Sequence, residues 1–319
     1  MTSFDTLLGP SGPTRLLVEA PLRPVQGQRF QPTGFPDLGA AVFEGRDDSG
    51  TCVLVESPQS MANRLEEACW DPARQDLVEP LAGLSYVRVV DPSGGFVTSS
   101  MTESHRLNSP YILQEKSAFF EAFKKETADF AKGALDRHKL ALTVLRYDAN
   151  ALVHGLFLAK SELAGGRLRL ERALSGFIEA ERARVAASGG VKKDEVNPSG
   201  EAKKGFGHVP FQRDEYVADR ITAYFNLDLG QIRGYRLPAE AERLIVGLAL
   251  FKIASFLEGS KRLRSACDLD LAGDIRVTRP DGFALPRRAQ LAEELPALVG
   301  ACRERFASPS GVTSVTWGG

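Results

Sequence analysis

Apolar residues fall at every second position in some segments of the chain and at every third or fourth in others. Arg15–Ala20, Val53–Glu56 and Leu84–Val90 read as strands, and β character resumes over Tyr216–Leu229. Leu152–Ala159 (LVHGLFLA) reads as a buried strand, with His154 as a satisfied core histidine. Helical spacing predicts helices over 58–70, 115–132, 238–258 and 287–306. In the second of these, Phe119, Phe120, Phe123 and Phe130 form a core stripe, and the third is strongly apolar up to Gly259. Residues 167–187 fit either a helix or a long strand. Mixed elements without regular βαβ alternation point to an α+β fold. Punctuation by Gly, Pro and Ser divides the chain into a flexible N-terminus (1–14), one unit over 15–187 and 213–306, a flexible basic insertion (188–212) and a C-terminal tail (307–319).

The helix at 58 starts in an unusual way. Ser57 suits an N-cap and Pro58 the first helical position. Helix starts commonly carry Asp or Glu to complement the dipole. Here the first turn is Ser57-Pro58-Gln59-Ser60, with no acid, while Arg64 follows about one turn on. The later helix at Pro238 has Glu240 and Glu242 in its first turn, the ordinary internal solution. Hydroxyls, an amide and free backbone N–H groups suit an anion arriving from outside, phosphate above all. An uncharged cap with no ligand is the alternative reading of the same residues.

Three further segments carry candidate chemistry. Residues 21–40 form a long Pro- and Gly-dense loop with Phe30 and Phe35, and Arg23, Arg29, Gln31 and Thr33 as donors. Thr98–Leu113 gathers hydroxyls with His105, Arg106 and Asn108. The insertion 188–212 carries Lys192-Lys193, Lys203-Lys204, Phe206 and Phe211. It is too polar to fold alone and suits ordering on a polyanion, with a solvated linker or hairpin as the alternative. Lys261, Arg262 and Arg264 read as dipole complements at the end of the long apolar helix.

Composition narrows the partners. The chain has 319 residues, 43% of them hydrophobic, and a formal net charge of −1. A free-standing non-specific nucleic-acid binder is more basic than this, so any nucleic acid must lie in a local groove. The four cysteines form no CxxC pair, which argues against zinc and against a disulfide framework. The longest apolar stretch, Leu244–Leu257, contains Lys252 and is too short to span a bilayer, so the cytoplasm is the expected compartment and no membrane partner is expected.

P-loop, GxSxG, HExxH and post-strand GxGxxG motifs are absent. The four histidines lie far apart in sequence. No cofactor, no metal and no catalytic residue is expected. The alternative is a nuclease using His105, His208 or Asp194, and a protein-only scaffold is a third possibility.

Five runs resemble a known family: Glu56–Glu66 (ESPQSMANRLE), Ser104–Tyr111 (SHRLNSPY), Arg262–Leu269 (RLRSACDL), Gln31–Asp37 (QPTGFPD) and Gly207–Phe211 (GHVPF). They resemble the backbone subunit of type I-G (formerly I-U) CRISPR effector complexes, of the RAMP superfamily and Cas-seven class. The resemblance spans about residues 15–270. It implies an RRM-like (ferredoxin-like) palm with finger and thumb insertions. It implies a subunit that binds CRISPR RNA, oligomerises with other copies in a helical filament, meets other effector subunits, and presents the guide for pairing with target DNA. Ser57, Gln59, Ser60, Asn63 and Arg64 fill the place where relatives hold the RNA backbone, although Ala62-Asn63-Arg64 stands where many have a Lys-Arg pair. With Arg29, Gln31, Thr33, His105, Arg106, Asn108, Lys192, Lys193, Lys203, Lys204, Phe206 and Arg213 they make up the expected RNA-binding set. The Gly273–Gly282 stretch is a poor match to the glycine-rich loop of RNA-processing relatives, so no guide-processing activity is expected. Sequence-blind binding of this kind needs contacts to phosphate and 2′-hydroxyl, not to base edges.

Overall fold

Alternating burial builds one large antiparallel sheet with a single apolar inner face. The computed structural model describes residues 2–318 apart from Pro36 and Asp37, and the side chains of Phe35, Ala202 and Phe211 also lie outside the described set. The matched run Gln31–Asp37 and the aromatic Phe211 are therefore only partly described.

The sheet strands are β1 (Arg15–Pro24), β2 (Val42–Glu44), β3 (Thr51–Glu56), β4 (Leu174–Glu181), then a hairpin β5 (Arg184–Lys192) and β6 (Val209–Val217), then β7 (Arg220–Asp228), β8 (Lys261–Arg264), β9 (Cys267–Leu271) and β10 (Arg276–Arg279). The strand order is β8-β9-β1-β7-β4-β3-β2, with β10 also on β1 and the β5–β6 hairpin forming a sheet of its own. Every pairing in it is antiparallel. Leu16, Val18, Ala20 and Leu22 of β1 face inward beside Ile221, Ala223, Phe225 and Leu227 of β7 and Leu174, Ile178 and Ala180 of β4.

Two helices cover that face: α1 (Pro58–Glu67), and a later helix, Ala239–Glu258, whose residues from Leu244 to Leu257 are all buried. The close seat of α1 depends on Gly176 of β4, where a Cβ would lie 2.7 Å from the Phe225 ring and 3.1 Å from Met61. Between α1 and β4 the chain builds a second body from the strands Tyr86–Val90 and Phe96–Ser99 and from the helices α2 (Ala118–Thr127) and α3 (Arg137–Tyr147). The long helix Ala239–Glu258 is α4, and α5 is Arg288–Cys302.

Several expectations change. The strand expected over Leu152–Ala159 is a helical turn (Ala151–His154) followed by the short strand Leu156–Leu158; Gly155, at φ +85°, makes the break. Periodicity cannot separate a short buried helix from a short buried strand. His154 is buried as expected, but neither ring nitrogen has a hydrogen-bond partner among the described residues. Residues 167–187 are strand throughout their ordered parts: Leu168–Leu170, β4 and the start of β5. The first residues are not frayed, because Phe4 and Leu7 insert fully into the core. The tail contributes the strand Val312–Thr316, which pairs in parallel with Tyr86–Val90. In both termini a few apolar side chains found a distant surface, which no local pattern reports. Among the described residues, no helix is long and apolar enough to cross a membrane.

Candidate nucleic-acid interface

The start of α1 is closed by the protein's own atoms. Ser57 is the N-cap, and its Oγ accepts the Ser60 N–H at 3.2 Å. The Ser57 carbonyl accepts the Met61 N–H at 2.8 Å, and Pro58 has no N–H to offer. The exposed Gln59 holds the one first-turn N–H with no partner among the described residues. The missing acid is also found: Glu56, one residue before the cap and fully buried, accepts from Ser60 Oγ at 2.5 Å and pairs with Arg64 and Arg264. As the last residue of β3 it points inward beneath the helix, a placement that a search of the first turn misses. Ser57→Ala is expected to lower the stability of the free protein by about 1 kcal/mol, measured by chemical denaturation without RNA.

Arg264 ties this helix start to the preceding loop. Its Nη1 donates to the Gln31 carbonyl at 2.9 Å and the Val55 carbonyl at 3.0 Å. The Thr33 N–H donates to Val55 at 3.0 Å, and the Gln31 N–H to Ala266 at 2.7 Å. The result is a cleft of about 450 Å³ lined by Gln31, Thr33, Arg213 and Arg264 among others. Three residues expected to act together thus meet in one place, and Arg264 is added to them. Arg213 is held by Glu215 at 2.6 Å. The dipole role expected for the cations after α4 holds for Lys261, whose Nζ reaches the Leu257 and Gly259 carbonyls at 3.0 and 2.9 Å. It does not hold for Arg264.

The basic insertion is the outer part of the β5–β6 hairpin. Its root is anchored where Phe30 and Tyr216 exchange backbone hydrogen bonds of 2.9 and 2.8 Å, which joins the hairpin to the loop at Phe30. Lys192, Lys193, Lys203 and Lys204 are exposed, with Lys204 3.0 Å from Glu201, and Phe206 is half exposed. Asp194 holds the tip: its carboxylate accepts the N–H groups of Val196, Asn197 and Gly207 at 2.7–3.0 Å, and its own N–H donates to His208 Nδ1 at 3.0 Å. Those backbone donors keep the Asp194 carboxyl below the usual carboxylate range. Asp194 and His208, the candidate nuclease groups, are both engaged in shaping the turn.

The 104–109 segment lies on the other side of α1. Arg106 does not face solvent: its Nε and Nη2 bind Glu66 of α1 at 2.6 and 2.8 Å, and the pair is nearly buried. Asn150 adds a third donor to Glu66 at 2.7 Å. Asn108 accepts the Ala159 N–H at 3.1 Å. His105 is exposed. Asn63, also exposed, shares a pocket of about 370 Å³ with Trp70, Met101 and Ser104. Arg29 is exposed on the loop before Phe30. Among the described residues, no three His, Cys, Asp or Glu side chains cluster as metal ligands, and all four cysteines are free and buried.

A family model described as CRISPR-associated protein GSU0053 matches residues 16–185. No curated protein matches the chain. One similar solved chain belongs to a CRISPR RNA-guided surveillance complex, pre-nicking, at 16% identity and a TM-score of 0.38, covering 91% of this chain and 89% of that one. Another is Csc2 of Thermofilum pendens, at 11% identity and a TM-score of 0.32, covering 91% and 76%. At these scores neither likeness bears on mechanism.

Proposed function

The chain belongs to the CRISPR-associated GSU0053 family, and from that premise we propose that it is a non-catalytic backbone subunit that binds CRISPR RNA. In this reading it is a type I-G subunit of the Cas-seven class. Copies line up along one guide, beside other effector subunits, and offer it to target DNA. In this reading β1, α1, β4, β7, α4 and β9, with strand order β9-β1-β7-β4, form the RRM-like palm. The β5–β6 hairpin is then its thumb or finger, and residues 15–187 with 213–306 its body.

The observation that carries this reading is the convergence of three elements. The Gln31–Thr33 loop meets the lysine hairpin at Gln212–Asp214 around one cleft, and Arg264 links that cleft to Glu56, which holds Ser60 at the start of α1. In this reading the exposed Gln59, Asn63, Arg29, His105, Phe206 and the four lysines touch the phosphodiester chain. Ser57, Ser60, Gln31, Thr33, Asn108 and Arg213 shape its bed. Arg64 and Arg106 act from beneath, through Glu56 and Glu66. Backbone-directed donors of this kind bind without regard to sequence.

Replacing Lys192, Lys193, Lys203 and Lys204 together by alanine is expected to weaken guide binding about tenfold or more. It should flatten the log K against log salt slope by about 3, the value for four single-strand phosphate contacts. Filter binding over a salt series, with two unrelated spacers, measures both. Unchanged slopes would count against the reading. Guide cleavage by the pure subunit that disappears in His105→Ala would favour the endoribonuclease alternative, whose other two groups, Asp194 and His208, already hold the hairpin tip.

A further inference from the structure

We infer that Arg262, rather than Arg64, is the side chain that meets a guide phosphate at the far end of α1. This deepens the RNA-binding reading and rests on it. Both terminal nitrogens of Arg64 are engaged by the protein, and its Nε is buried without a hydrogen-bond partner among the described residues. Its Nη1 lies 3.2 Å from Glu67, its Nη2 donates to the Leu263 carbonyl at 2.6 Å, and its Nε faces Glu56 at 3.5 Å. Two carboxylates offset its charge, and one backbone carbonyl fixes its direction. Arg64 is therefore a positioning residue: it fastens α1 to β8 through Leu263.

Strand alternation then decides what β8 presents. Lys261 and Leu263 point inward and are 3% and 4% exposed, and Lys261 is tied to the end of α4. Arg262, between them, points out and has no ion-pair partner among the described residues. It lines a pocket of about 260 Å³ between α1 and the end of α4, together with Arg64, Ser255 and Ser260. The Ser255 hydroxyl, in a residue 9% exposed, is without a hydrogen-bond partner. Glu67 also borders this pocket, but Arg64 engages it. One open guanidinium beside unpartnered hydroxyls suits a singly charged phosphodiester group, since the fork of Arg donates to two of its oxygens.

The test is guide-RNA affinity across a salt series for Arg262→Ala, Arg262→Lys and Arg64→Met, with thermal melting of each free protein. Arg262→Ala is expected to weaken binding about fivefold and to lower the salt slope by about 0.7, one single-strand contact. Its melting temperature should stay at that of the parent, and Arg262→Lys should recover most of the loss. Arg64→Met should lower the melting temperature and the affinity while leaving the slope unchanged. Parental affinity and slope in Arg262→Ala, with the four-lysine variant impaired, overturn this inference and leave the RNA reading standing. Loss in Arg262→Ala and Arg262→Lys alike, with falling melting temperatures, also overturns it. Parental binding in all of these variants, the four-lysine protein included, would sink the RNA reading itself.

Discussion

Arg106→Ala is expected to destabilise the protein by about 3–5 kcal/mol, the cost of leaving one partner of a buried ion pair uncompensated. The geometry is that of a strong pair: two parallel N–H···O bonds of 2.6 and 2.8 Å to the two oxygens of Glu66. The Glu66 side chain is 8% and the Arg106 side chain 16% exposed, so water cannot replace the guanidinium. Among the described residues, Asn150 would remain as the only strong donor to Glu66, at 2.7 Å. Glu66 belongs to α1 and Arg106 to the second body, so the pair also fixes one against the other. A melting temperature lower by about 5–10 °C is expected. The double variant Glu66→Met with Arg106→Met should regain much of the loss, because removing both charges leaves none buried alone. A single variant as stable as the parent would show that the pair is open to solvent.

The second large effect is a pH dependence centred on Asp148. Burial pushes its carboxyl up to about 7; a hydrogen bond from Ser100 opposes this, and the Glu66 charge adds to it. One carboxylate oxygen, Oδ2, has no hydrogen-bond partner among the described residues, while Oδ1 accepts the Ala151 N–H at 3.2 Å. In the unfolded chain the same carboxyl titrates near ~3.9. Between these values the folded state retains a proton that the unfolded state has released. The stability contributed by Asp148 is therefore greatest at or below pH ~4, falls as pH rises to about 7 and is flat above. A shift of about three units corresponds to roughly 4 kcal/mol.

Asp148→Asn removes the titration. It should be more stable than the parent at pH 8 by on the order of 2–4 kcal/mol, with the advantage shrinking towards pH 4. His154 works in the opposite sense: burial, with Lys252 nearby, holds its imidazole well below the ordinary value, so stability is lost as pH falls below about 6.5. Comparing the two proteins at each pH cancels that contribution. Urea denaturation from pH 4 to 8 gives both curves, and parallel curves would refute the role assigned to Asp148.

Much of the candidate interface was legible in the chain. The donors Gln31 and Thr33 and the hairpin that carries the lysine pairs meet around one cleft, and the Ser57-Pro58 helix start is tied to it through Glu56 and Arg264. What was not legible is which charges are free. Arg64 and Arg106 read as available cations, and both are engaged by acids of the protein. Glu56 looked like the end of a strand and is the hub of the helix start. Arg264 looked like a dipole complement and ties the loop to that hub. Leu152–Ala159 was misread because a buried turn and a buried strand share one apolar pattern.

By itself, then, the sequence determined the α+β character, the inner faces of the strands, the cap of α1 and the position of the basic hairpin. Each of these depends on atoms a few residues apart, through alternation, helical spacing and capping. Only the tertiary structure decided which cations face solvent. Glu66 and Arg106 are 40 residues apart, and Glu56 and Arg264 are 208 apart. Whether a guanidinium is free depends on which carboxylate folding brings beside it, and no short stretch of sequence carries that information.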